Sequence, residues 1–150
     1  MPPVAPSLSA RTEEFSVEQS IPGRWAELVA RQARRPAVFA GDWRPTYGEL
    51  DAAANRCAHA LHAHGGQAGD GVAVLLRHEA SLPAAILAVL KAGCVVVVLN
   101  PSDPPARMHQ VLADAAPALL VTDAASRQLA QQLAGAERKV VCWDEIPAGP

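Results

Sequence analysis

The chain is short of the residues that mark several protein classes. Aromatic residues fill 4% of its 150 positions, too few for the stacking platforms that hold single-stranded nucleic acids. Its three cysteines, Cys57, Cys94 and Cys142, are too few and too scattered for a disulfide framework. Each sits among apolar neighbours, where a thiol behaves as a small hydrophobe. No apolar run reaches the roughly 18 residues that crossing a bilayer demands. There are two lysines, Lys91 and Lys139, and neither lies in a glycine loop. Positive charge is not in excess either. Thirteen Lys+Arg against fifteen Asp+Glu leave a net charge of -2, so no basic field draws in phosphate backbones or anionic lipid. Residues 1–7 lack the basic and apolar regions of a secretory signal. The expectation is a protein of the reducing cytoplasm with neither nucleic acid nor membrane as partner.

What is present suits a folded core. Half the residues are hydrophobic and 19% are charged, in a chain of 15.7 kDa with mean hydropathy +0.08. That size fits one domain with real buried area. Residues 1–20 are rich in Pro, Ser and Glu, and read as a flexible lead-in. Structure begins near Ile21, with Trp25, Leu28, Val29 and Gln32 at helical spacing and a stop before Pro36. Residues 36–40 read as a short strand, with Gly41-Asp42 as a hairpin turn into Trp43-Arg44-Pro45.

The next helix has the clearest start. Thr46 and Glu49 fit a capping box, in which each side chain satisfies an amide that the first turn leaves open. Leu50, Ala53, Ala54, Cys57 and Leu61 then form one apolar stripe. Gly65-Gly66 closes the helix. Residues 72–76 form a buried strand. Ser81 is placed to cap a helix through Leu82, Ile86, Leu87, Val89 and Leu90, apolar on nearly every side. Lys91 suits its last turn and Gly93 its end.

Residues 94–99 are a continuous β-branched run, which reads as a central strand covered on both faces. Ser102 or Asp103 before Pro104 opens a further helix, with Met108, Val111, Leu112 and Ala115 inward. A strand at 118–122, a helix at 124–133 and a strand at 139–143 follow, and residues 146–150 read as loop. Strands that alternate with helices give an α/β layered fold, its mostly parallel sheet flanked by helices. Ligands of such sheets bind at the carboxyl ends of the strands.

Few residues compete for a chemical role. The stretch from Gly65 to Gly71 is glycine-rich, but it follows a helix and leads into a strand, the reverse of a dinucleotide fingerprint. It reads as a helix end plus a turn. Cys57, His59, His62 and His64 are neighbours, but Cys57 belongs to the buried stripe and no further ligand completes a metal set. His78, Glu79 and Ser81 carry the residue types of a hydrolytic triad without a nucleophile elbow, and capping explains the serine. Asp103, Asp114 and Asp123 lie near element ends, where solvated caps and turns are the ordinary reading. Arg107 with Asp114 reads as a helix-surface feature. No catalytic, cofactor-binding or metal-binding residue is assigned.

The order of segments resembles a known family. Pro45-Thr46-Tyr47-Gly48-Glu49-Leu50, followed by Ala54-Asn55-Arg56-Cys57-Ala58, resembles the first core motif of the AMP-dependent synthetase/ligase family, which includes acyl-CoA synthetases and the adenylation domains of nonribosomal peptide synthetases. The stretch from Leu90-Lys91-Ala92-Gly93 through Leu99-Asn100-Pro101 is similar to its second. Pro105-Ala106-Arg107, residues 119–122, and the upstream segments at 21–25 and 35–38 also match, so the resemblance covers about residues 21–145. Val98 departs from it, standing where the family generally has Pro.

The resemblance implies that residues 21–150 are an incomplete N-terminal α/β subdomain of an adenylate-forming enzyme. The whole enzyme would use ATP and Mg2+ to turn a carboxylic or amino acid into an acyl-adenylate, then pass the acyl group to a thiol. The family's phosphate loop, ribose-binding aspartate and catalytic lysine lie further along than this chain reaches. The chain alone is therefore expected to be inactive and to bind no cofactor, because adenylation needs a phosphate cradle and cationic stabilisation. Its expected partner is the remainder of the adenylating enzyme, or a synthetase assembly with a carrier protein. Three alternatives stand beside this: a truncated non-catalytic module docking in a biosynthetic assembly, one half of a split enzyme, and an unrelated nucleotide-binding domain.

Overall fold

The computed structural model describes residues 19–147. Of the expected lead-in only Gln19 and Ser20 fall within it, and residues 148–150 of the loop-like end also lie outside. Ser20 starts the first helix, α1 (Ile21–Gln32), by accepting a bond from the Gly23 amide at 3.2 Å. The capping box forms as the sequence predicts. Glu49 N donates to Thr46 Oγ1 at 3.2 Å and Thr46 N to Glu49 Oε2 at 2.8 Å, which starts α2 (Tyr47–Ala63). Its buried stripe is the expected one with Ala58 added.

From there strands and helices alternate: β1 (Gly71–Leu75), α3 (Ser81–Lys91), β2 (Val95–Leu99), α4 (Pro105–Ala115), β3 (Leu119–Thr122), α5 (Arg127–Ala134) and β4 (Lys139–Cys142). A 3-10 turn at Trp143–Glu145 follows. All strand pairs are parallel, in the order β2-β1-β3-β4. Strand alternation sorts the core into two layers. Val72, Val74, Leu119 and Val121 face α2 and α3. Ala73, Leu75 and Leu120 face Met108 and Leu112 of α4 and Ala130 and Leu133 of α5. The sheet is thus covered on both faces, which its parallel strands require.

A polar lock joins the first three helices. Asp51 of α2 accepts from Trp25 Nε1 of α1 at 2.7 Å and from Lys91 Nζ of α3. Lys91 Nζ also donates to Asn55 Oδ1 at 2.7 Å. The Trp25 and Tyr47 rings lie 5.5 Å apart beside it. Lys91 does sit in the last turn of α3, but its ammonium is committed to α2.

Several expectations change. The run at 94–99 forms a strand, β2, but at the edge of the sheet instead of its centre. Val95 is 57% exposed and Val98 49%. Composition alone does not report a strand's place in the sheet, and at this edge two of the four valines stay open to solvent. Residues 36–40 do not form a strand. One antiparallel bridge pairs Pro36 with Thr46, and Ala37 N donates to Pro45 O. Pro36 and Pro45 bring no amide donors to a ladder, and Phe39, 74% exposed, has no face to pack on.

Ser81 does not cap α3. Ala80 holds the cap position in helical conformation, without a side-chain bond. Neither Ser102 nor Asp103 caps α4, whose cap residue is Pro104. Ala115 is exposed, because α4 turns only Met108 and Leu112 fully inward. The last helix starts at Arg127, not Ala124.

Candidate functional site

The chain leaves the carboxyl end of β1 to enter β2 on one side, then crosses back to place β3 on the other side of β1. That reversal is a topological switch point, the place where open α/β sheets bind ligands. Two residues hold it, each the first or second polar group after a buried apolar run. Leu76 is followed by Arg77 and Thr122 by Asp123.

Arg77 donates through Nε to Asp123 Oδ2 at 3.1 Å and through its backbone amide at 3.3 Å. Ser126 N donates to the other carboxylate oxygen at 2.7 Å. Asp123 is only 4% exposed. Burial pushes its carboxyl up, but the bonds from the Ser126 amide, the Arg77 amide and the guanidinium outweigh that and hold it below the usual carboxylate range. The bond to Asp123, followed by the charge of Glu79, raises Arg77 in return. The reading of Asp123 as a solvated cap is therefore corrected: it is a buried ion-pair acceptor tying β1 to β3.

Around this pair lies a cavity of about 190 Å3, lined by Trp43, Glu79, Ser81, Trp143 and Asp144 as well as Arg77 and Asp123. The Trp43 and Trp143 rings lie 6.4 Å apart at 46°. Asp144 accepts from Ala124 N at 2.6 Å. A second cavity of about 240 Å3 opens on the other side of Arg77, against His78, Asn100, Pro101 and Ser102.

The remaining candidates resolve into structure. Glu79 turns to Arg77 at 3.5 Å and to the Gly41 turn, where φ is +72°. Ser81 belongs to the first turn of α3; it shares a cavity wall with Glu79, while His78 lines the other cavity, so the triad types are not brought together. Cys57 is fully buried, and burial pushes its thiol up to about 12. His62 Nδ1 lies 3.0 Å from Gly66 O, and His64 Nδ1 2.8 Å from Ala60 O. Among the described residues no group of three or more could hold a metal ion.

The glycine stretch is the expected helix end and turn, with Gly65 at φ +93°. At Gly66 a Cβ would meet Leu61 O and Leu119 Cδ1, each at 2.9 Å, so close packing requires that glycine. Asp114 is exposed on α4, and Arg107 pairs with Asp103 at 3.6 Å, one turn back, rather than with Asp114.

The residues present do not fit a triphosphate. Around the switch point three carboxylates, Glu79, Asp123 and Asp144, face one guanidinium. Lys91 is committed to Asp51 and Asn55, and Lys139 donates to His64 O at 3.2 Å. The arrangement ties strand ends together and shapes a crevice, and it carries no nucleophile or phosphate cradle among the described residues.

The model of the AMP-binding enzyme family matches residues 25–148. The chain belongs to that family. It is 44% identical over 146 residues to the 3-hydroxybenzoate--CoA/4-hydroxybenzoate--CoA ligase of Thauera aromatica, covering 91% of this chain and 28% of the ligase. It is 40% identical over 122 residues to the isonitrile lipopeptide synthase of Mycobacterium tuberculosis, covering 81% of this chain and 5% of the synthase. Among solved structures, the N-terminal subdomain of Klebsiella oxytoca NpsA superposes with a TM-score of 0.71 at 23% identity, over 85% of this chain and 32% of that one. The chain thus spans less than a third of each of these proteins, and the NpsA likeness establishes the fold alone.

The two motifs that carried the resemblance are the start and body of α2 and the passage from α3 into β2. The lock of Asp51 and Asn55 on Lys91 bolts one to the other.

Proposed function

We propose that this chain is the N-terminal part of a longer adenylate-forming enzyme, with residues 1–20 as a lead-in and 21–150 as an incomplete subdomain. The whole enzyme activates a carboxylic or amino acid with ATP and Mg2+ as an acyl-adenylate and transfers the acyl group to a thiol. The observation that carries this reading is the family match over 25–148, combined with the small share of each relative that the chain covers. Those relatives include a CoA ligase and a lipopeptide synthase, so the acceptor is CoA or a carrier-bound thiol.

No residue of this chain is assigned to catalysis, cofactor or metal. The cations that would meet triphosphate charge are either committed to the scaffold or outnumbered by carboxylates. Its partner is the remainder of the enzyme or a synthetase assembly, in the cytoplasm. Among the described residues no helix is long and apolar enough to cross a membrane.

The test is ATP–pyrophosphate exchange with a panel of aryl and amino acids. The 150-residue chain gives no exchange, while the longer polypeptide carrying it does. Exchange by the short chain alone refutes the proposal. So does a native mass of 15.7 kDa in the source cells, which would favour the non-catalytic module instead.

A further inference from the structure

Away from the switch-point pair, a further cavity of about 200 Å3 is lined by Trp43, Ala53, Arg56, Trp143 and Ile146. Local structure brings these residues together. Ala53 and Arg56 stand three apart on α2, so they share a face of the helix. Ile146 N donates to Trp143 O at 3.2 Å across the 3-10 turn, and residues three apart in such a turn lie one above the other. Trp43 joins them through its ring contact with Trp143.

Arg56 is half-buried and has neither an ion pair nor a hydrogen bond among the described residues. Its neighbours one turn away on α2, Ala52, Ala53, His59 and Ala60, include no acid. The two acids that follow Trp143 are engaged elsewhere, Asp144 with the Ala124 amide and Glu145 with Arg127. The indole N–H groups of Trp43 and Trp143 also lack an acceptor among the described residues, whereas Trp25 donates to Asp51. Guanidinium and indole N–H groups donate and never accept, so every polar side-chain group around this cavity is an unmet donor. The same indole pair walls the cavity at the switch point, but there three carboxylates outnumber one guanidinium. An anion is thus drawn to the Arg56 side and repelled from the other.

We infer that the Arg56 cavity binds a small aromatic carboxylate, its carboxylate on Arg56 and its ring against Trp43 and Trp143. A planar guanidinium matches the two oxygens of a carboxylate. Two rings tilted by 46° offer a third ring both a face and an edge. The volume lies below the roughly 300–1,000 Å3 of pockets for drug-sized ligands, which sets the occupant at a single ring. The inference stands apart from the proposed function, since every group it uses lies within residues 43–146.

Titration of the 150-residue chain with benzoate tests it, read from the indole N–H signals of its three tryptophans by NMR. Trp25, held by Asp51 and absent from the cavity, is the internal control for both folding and specificity. The Trp43 and Trp143 signals shift together and saturate, while that of Trp25 stays. No shift, a shift that never saturates, or an equal shift of all three overturns the inference.

Arg56→Gln, at a half-buried position, weakens benzoate binding by about tenfold or more, the worth of hydrogen bonds to a charged group, with the Trp25 signal in place. Benzyl alcohol keeps the ring without the charge. It binds the wild type correspondingly weakly and loses nothing further in the variant. Cyclohexanecarboxylate keeps the charge without the aromatic ring and binds several-fold more weakly than benzoate. Equal affinity of wild type and Arg56→Gln for benzoate removes the carboxylate contact and with it the proposal. Equal affinity for the cyclohexyl acid overturns the aromatic assignment, and tighter binding of phenyl phosphate than of benzoate gives the cavity to a different anion.

Discussion

Asp123 shows how much one buried carboxylate can organise. Its oxygens take donors from Arg77, just past β1, and from the turn before α5, so three segments meet at a group with almost no access to water. Asp123→Asn keeps the shape but turns an amide N–H2 toward those donors. The expected loss is about 1–3 kcal/mol, the range for leaving buried partners unsatisfied, read from urea unfolding. The sign with pH follows from the lowered folded-state value. A depressed carboxyl contributes stability that is complete above its unfolded value, about pH 4, and is lost as pH falls through the folded value. The gap between wild type and variant therefore narrows below about pH 4, and a gap unchanged down to pH 3 would contradict the ion pair. Neither Arg77 nor Asp123 was legible as a pair, because 46 residues separate them and an aspartate before a helix has an ordinary local meaning as a cap. Their shared position, just past a buried strand, is the signal that was available.

Elements whose causes are local were readable. The capping box and stripe of α2 depend on residues within one or two turns of each other, and both form as expected. The short buried strands β1 and β3 are apolar runs, and they too appear. Order within the sheet was not readable, because β2 has the composition of a central strand while the structure places it at the edge. The segment at 36–40 failed for a related reason: a strand needs a partner, and two prolines and an open surface provide none. Between elements, the contact of Asp51 and Asn55 with Lys91 is the one to measure. Lys91→Met and Asp51→Asn, alone and combined, should show a coupling of about 0.5–3 kcal/mol, as residues sharing one network do. Additive losses would reduce the lock to an incidental surface pair.

For the molecule as a whole, the three buried thiols report on how it opens. Cys57 is enclosed between α2 and the sheet, and burial holds its thiol far from ionisation. Cys94 stands at the foot of β2, beside the bare edge, and Cys142 ends β4. In native buffer a disulfide reagent should modify Cys94 of the 150-residue chain first and Cys57 last, at the rate of global unfolding. Identical rates at all three would mean a single cooperative unit with no weak edge. The bare edge also has a consequence in time. A polypeptide made from its amino terminus exposes this segment early, and at about 5–20 residues per second each further hundred residues takes roughly 5–20 seconds. During that interval the valines of β2 are an attractive template for other nascent chains. The longer enzyme proposed above is therefore expected to be most vulnerable to aggregation early in synthesis, and a chaperone that shields Val95–Leu99 on the ribosome would protect its yield more than one acting on the finished protein.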